Sequence, residues 1–329
     1  MPILEERHDR RHAVEGDQAW SESYYFNGYD PTADVGLFTR IGCRPNDGTI
    51  DVGLSVWLPG GELAELRHLD PFTDSGAEQL RVGPVHYELL EPMASWRLTS
   101  DATMVARPCV RGASARRDVN VKMDLLFTAD APPIGTDGEQ PGGPQSQQAA
   151  AAAGTTGKGH FEQAGHYRGS ITVEGVRHEV TTALGNRDRS WGPRRWGGPS
   201  MWRWFSINFD GGPHFGGIRL GTTAGDLHRG WVYENGHATS VREWRLRTEV
   251  ADDHVTQRVV HMEVEDKRGK VHELRGDVLR VADIGQNGGT VVNEGLTKWT
   301  LLETGAVGYG VAEYLHQLDS DGRPVVPVA

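Results

Sequence analysis

Between residues 185 and 198 the chain reads Gly-Asn-Arg-Asp-Arg-Ser-Trp-Gly-Pro-Arg-Arg-Trp-Gly-Gly, with five charged side chains and two tryptophans held between glycines. Asp188 is the residue here that could do chemistry. Arg187 and Arg189 on either side would favour its ionised form. Held in a low-dielectric pocket, it would instead keep its proton and act as a general acid. The competing reading is structural: Asp188 pairs with an arginine and pins a tight turn, because buried charges are usually paired. The arginines could also grip a carboxylate or phosphate, or form a surface ion-pair patch. The glycines and the proline argue that the run interrupts regular structure.

A second aromatic run follows at 201–209, Met-Trp-Arg-Trp-Phe-Ser-Ile-Asn-Phe. Read as a strand, it puts Trp202, Trp204, Ser206 and Asn208 on one face and Arg203, Phe205, Ile207 and Phe209 on the other. Aromatics on both faces predict burial on both sides. Trp191, Trp202 and Trp204, with Ser206, Asn208, Tyr167 and Tyr314, could line an apolar cavity whose π faces stabilise a developing cation. Ordinary core packing would use the same residue types. His160 and Glu162 share one face of a strand and could form an acid/base relay or simply a satisfied hydrogen bond. Glu313 and His316 in the last strand are read in the same two ways.

Those side chains need a scaffold, and its pattern is β throughout. Ile50, Val52, Leu54, Val56 and Leu58 alternate with Asp51, Gly53, Ser55 and Trp57, and Val119, Val121, Met123, Leu125 and Phe127 alternate with Asn120, Lys122, Asp124 and Leu126. Glu174-Gly175 and Asn235-Gly236 are hairpin turn signals between alternating runs. At about 130 the composition changes to Pro, Gly, Gln and Ala without periodicity, including alanines at 149–153 that could hold one helical turn. The expected organisation is a β domain at 1–130, a linker or long loop at 131–158, and a second β domain at 159–329 that opens with the charged run. Two packed antiparallel barrels or sandwiches fit this pattern.

Bulk properties narrow the partners. The 329 residues carry a net charge of −11, so nucleic acid and anionic membrane surfaces are disfavoured. No apolar leader and no stretch near the ~20 apolar residues of a membrane span is visible, which predicts a soluble, cytoplasmic protein, monomeric or homodimeric. Cys43 and Cys109 have no metal-binding spacing and read as free thiols. The histidines are scattered, and no phosphate-binding, dinucleotide-binding, zinc-protease or serine-hydrolase motif occurs. Neither a metal nor a cofactor is therefore expected.

The run Gly-x-Arg-Asp-x-Ser-Trp-Gly at 185–192, in a β-rich chain with an aromatic opening at 20–27 and Glu162-Gln163, resembles the lipocalin-like superfamily of carotenoid 1,2-hydratase (hydroxyneurosporene synthase) and AttH-like proteins. The resemblance implies two tandem lipocalin-like β-barrels. It implies an apolar terpenoid, steroid or polyketide-like ligand, and an acid-initiated hydration, isomerisation or cyclisation. A pericyclase or a non-catalytic carrier is the alternative. Asp188 matches the proposed proton donor of the hydratases. Asn186 departs from the pattern, standing where those enzymes have an aromatic residue.

Overall fold

Strand periodicity in the sequence becomes strand after strand in the computed structural model, which describes residues 4–73, 79–110, 113–138, 157–195, 198–287 and 289–328. The chain divides into two compact units, one made of Met1–Cys109, Ala113–Pro141 and Gly157–Arg194, the other chiefly of Arg195–Ala329.

In the first unit the strands are β1 (Trp20–Asp30), β2 (Val35–Arg44), β3 (Thr49–Trp57), β4 (Glu62–Pro71), β5 (Gln79–Val82), β6 (Val85–Glu91), β7 (Ser95–Pro108), β8 (Arg117–Ala129), β9 (Ile134–Thr136), β10 (Gly159–Val173) and β11 (Val176–Pro193). Their order is β4-β3-β2-β1-β11-β10-β8-β7-β6-β5, with β9 paired to β10. The far half of β7 also pairs with β4, Glu62 opposite Pro108 through Glu65 opposite Val105. That contact closes a circuit of eight strands, so the sheet curls around one core. Inside it lie Tyr24, Phe26, Leu37, Val52, Leu54, Val121, Met123, Leu125 and Phe127. These are every second residue of their strands, as a face packed on a core requires.

A simpler path runs through the second unit. Strands β12 (Met201–Phe209), β13 (His214–Thr222), β14 (Gly225–Glu234), β15 (His237–Val250), β16 (Gln257–Asp266), β17 (Val271–Asn287), β18 (Thr290–Leu301) and β19 (Ala306–Gln317) form a closed barrel in sequence order. The predicted turns hold: Glu174-Gly175 and Asn235-Gly236 both take positive φ at both residues, the mirror-image turn that suits strand twist.

Two expectations are corrected. The charged run does not interrupt regular structure; residues 185–193 are the second half of the 18-residue strand β11. The strands at 159–193 also do not open the second unit. They belong to the first, where β11 pairs with β1 and β10 with β8. Every residue of β1 is buried, and it takes β2 on one edge and β11 on the other. The hairpin after the composition break therefore completes the sheet that precedes it. Of the predicted linker, 139–156 with its alanines lies outside the described residues, while Ile134–Thr136 forms β9. Among the described residues no helix is long and apolar enough to cross a membrane.

Candidate functional site

Alternation along β11 sorts its charged run into two sets. Arg187, Arg189 and Trp191 point into the first barrel; Asn186, Asp188 and Ser190 point the other way. The inward arginines are 1% and 0% exposed, and each is paired with a buried carboxylate. Arg187 Nη2 donates to Asp9 Oδ2 at 3.0 Å and Nε to Gln163 Oε1 at 2.8 Å. Arg189 Nη2 donates to Glu22 Oε1 at 2.8 Å, and its guanidinium lies 3.6 Å from the Tyr24 ring centroid. Burial pushes the Asp9 and Glu22 carboxyls up, but the arginine charges and hydrogen bonds outweigh it and hold both below the usual range. His12 Nδ1 sits 2.7 Å from Glu22 Oε1 and its ring stacks on Trp191 at 3.9 Å. His8 stacks on the same indole at 5.8 Å.

Asp188 is thereby separated from the arginines that flank it in sequence. It is half-buried on the face turned away from the core. Its cross-strand neighbours are Tyr25 on β1 and Glu162 on β10. Next to them on the same face come Ser190 opposite His160, Asn186 opposite Asn27, and Arg40 opposite Tyr25. His160 Nε2 is 3.2 Å from Glu162 Oε1. Among the described residues no hydrogen bond reaches the Asp188 carboxyl. Burial raises its pKa and the Glu162 charge adds to this, against His160, Arg194 and Arg40; the net shift is upward. Burial would lower the His160 pKa, yet the Glu162 hydrogen bond and the Asp188 charge leave it raised. Phe38 and Trp57, ring centroids 5.5 Å apart, give the same face an aromatic surface. Asn186 is 1% exposed, and among the described residues neither its Nδ2 nor its Oδ1 has a hydrogen-bond partner.

The remaining predicted residues do not gather here. Trp191 does not share Asp188's face; it packs with Trp20 and Phe161, its ring over Gly159, where an added Cβ would lie 2.0 Å from Cε2. Tyr167 is in the first core, its hydroxyl donating to Asn186 O at 3.1 Å. Trp202, Trp204, Ser206 and Asn208 do share one face of β12 and are buried, opposite the core residues Phe205, Ile207 and Phe209. On that face Trp202 Nε1 donates to Glu313 Oε1, and Asn208 Oδ1 is 3.0 Å from His214 Nδ1. Tyr314 and His316 point the opposite way from Glu313, into the second barrel; Tyr314 belongs to its core, with its hydroxyl 2.7 Å from Thr248 Oγ1. Among the described residues no three His, Cys, Asp or Glu side chains gather as metal ligands.

Sequence reasoning missed Asp9, Glu22 and His12, which lie in or beside the polar, charged first 19 residues, where no strand periodicity points to a buried side chain. The histidines are not all scattered: His8 and His12 stand four residues apart, and that spacing was the available signal. Tyr25, Asn27 and Arg40 were missed because only strand register brings β1 and β2 beside Asp188.

The family pattern that matches residues 5–318 is DUF7064, a domain of unknown function. Among solved structures, an AttH-like protein of Nitrosomonas europaea matches with a TM-score of 0.62 at 17% identity, over 92% of this chain and 97% of that one. Kievitone hydratase of Nectria haematococca matches at 0.59 and 13% identity, over 89% and 88%. CghA matches at 0.56 and 12% identity, over 91% and 88%. At these identities the likeness is one of fold, and it is the lipocalin-like fold expected from the sequence. No curated protein matches the chain.

Proposed function

The chain belongs to the DUF7064 family, which carries no assigned activity, and we propose that it is a cofactor-independent enzyme that protonates an apolar, unsaturated small molecule, with Asp188 as the general acid. One observation carries this reading. Asp188 is half-buried, accepts no hydrogen bond among the described residues, and has its pKa raised on a face that excludes Arg187 and Arg189. A structural carboxylate looks like Asp9 or Glu22, paired and depressed. Asp188 has the opposite character, which suits a proton donor.

In this reading the Asp188 proton goes to one alkene carbon and the cation develops on its neighbour. Tyr25, Phe38 and Trp57 offer π faces to that charge. Water adding to the cation gives an alcohol, and its surplus proton passes to the Glu162–His160 pair. Loss of a proton from an adjacent carbon to the Asp188 carboxylate gives an isomer instead, and capture by a second alkene moves the cation into a ring, which then loses a proton or takes up water in the same way. A terpenoid, steroid or polyketide-like substrate fits, and the fold neighbour named kievitone hydratase supports the first outcome. On the second barrel, Trp202, Trp204, Ser206 and Asn208 are proposed as a ligand-contacting face in their own right.

The test is carbon deuteration. The protein is incubated in D2O with a panel of terpenoid, steroid and polyketide-like alkenes, and deuterium at carbon is read by mass spectrometry. Incorporation that falls by about 10²–10⁴-fold in Asp188→Asn supports the proposal. Binding without incorporation in the wild type makes the protein a carrier and ends it.

A further inference from the structure

Inside the second barrel, among the described residues, Arg203 is a buried cation with no ion-pair partner. Arg203 on β12 points inward, on the side of Phe205, Ile207 and Phe209, and is 3% exposed. Its hydrogen bonds leave from Nη1 alone, to Trp202 O at 2.7 Å and Leu315 O at 3.0 Å. Among the described residues Nε and Nη2 donate to nothing, and no carboxylate pairs with the guanidinium. Tyr314, its cross-strand neighbour on β19, lies beneath it with the ring centroid 4.4 Å from Cζ. The Tyr314 hydroxyl is held by Thr248 Oγ1 at 2.7 Å, which fixes that platform. On the other side the register partner is Arg219, whose Nε donates to Asp226 Oδ2 at 2.8 Å. Asp226 is thus held by Arg219; its charge still reaches Arg203, but among the described residues no carboxylate lies within ion-pair distance of Arg203. Burial lowers the Arg203 pKa to about 10, which still leaves it charged at neutral pH. An unpaired ion in such a place is strongly disfavoured, and an apolar side chain of similar length would be tolerated better.

We propose that Arg203 anchors a carboxylate-binding site inside the second barrel. The free Nε/Nη2 edge is the side of a guanidinium that receives both oxygens of a carboxylate in parallel. Stacking on Tyr314 holds that edge in one plane. Phe205, Trp244 and Trp299 of the barrel core make the adjoining surface apolar. The ligand is therefore a carboxylic acid, either small or carried on an apolar tail. This site lies in the second unit and stands apart from the proton-donor reading of Asp188.

Calorimetric titration of the full chain with decanoate, decan-1-ol and acetate tests it, on the wild type, Arg203→Met and Arg203→Lys. The wild type should bind decanoate at least about tenfold more tightly than decan-1-ol, since only the acid meets the fork. Arg203→Met should lose that preference and, without ligand, melt above the wild type, because the unpaired charge is gone. Arg203→Lys keeps the charge without the fork and should retain only part of the preference. Acetate displacing decanoate identifies a small acid as sufficient; decanoate binding without acetate binding shows that the tail contributes. Equal wild-type affinity for decanoate and decan-1-ol without acetate binding overturns the proposal, as does a preference that survives in Arg203→Met. Should Arg203→Met fail to fold, Arg203→Lys decides: an undiminished preference rejects the fork.

Discussion

At the scale of single residues, burial and partnership separate the carboxyls that hold the fold from the one that is left open. Asp188 has its pKa raised in the folded state, so the folded chain binds that proton more tightly than the unfolded chain does. Stability then falls as pH rises from the unfolded value of 3.8 through the raised one. Asp188→Asn removes that loss, so the variant should melt no lower than wild type at neutral pH; thermal unfolding monitored by circular dichroism checks this. A turn-pinning aspartate would give the opposite result. Activity that needs the Asp188 proton should decline as pH rises through the same raised pKa, visible in a pH–rate profile. Asn186 makes a second case. Its buried amide has no partner among the described residues, so Asn186→Leu should raise Tm by about 2–4 °C, because an unpaired polar group is removed from the interior. A lower Tm would show that the amide is satisfied after all.

At the scale of elements, β11 carries the paired arginines on one face and the proposed acid on the other. Inward, Arg187 and Arg189 fasten the segment around Asp9 and strand β1 through buried ion pairs. Removing one partner of such a pair leaves the other buried and uncompensated, a cost of about 3–5 kcal/mol. Asp9→Asn and Glu22→Gln should each destabilise the first unit on that scale in a urea titration. Because both carboxyls are depressed in the folded state, their contribution is complete above the unfolded values of 3.8 and 4.5 and is lost as pH falls through the folded ones. Acid unfolding of the wild type should therefore begin below about pH 4, and should begin at higher pH if these pairs were weak. The close approach of β11 to β1 adds a steric constraint at Gly185, where a Cβ would lie 1.9 Å from Asn27 O. Gly185→Ala should push the strands apart and expose the pairs.

At the scale of the whole molecule, the division falls at 194–195, after the charged strand. Residues 195–329 form a barrel closed by their own eight strands, β12 to β19. A fragment of 195–329 should therefore unfold cooperatively by itself. A fragment of 1–158 lacks β10 and β11, leaving β1 and β8 each with one edge unpaired, and should be molten or aggregate. Calorimetry and near-UV circular dichroism of the two fragments distinguish these outcomes. A folded 1–158 fragment would restore the boundary that composition alone suggests.

The sequence by itself determined the β class, the two hairpin turns at 174–175 and 235–236, and the burial of both faces of β12, because those depend on local periodicity and turn chemistry. It also singled out Asp188, since a carboxyl between arginines is conspicuous in any chain. Only the tertiary structure decided what those arginines do. Neighbours in sequence point to opposite faces of a strand, so Arg187 and Arg189 serve Asp9 and Glu22 while Asp188 faces Glu162 and His160. Which distant strands supply those partners is a matter of register across β1, β10 and β11. Register is set by the burial of whole strands against one another, and no local pattern in the chain records it.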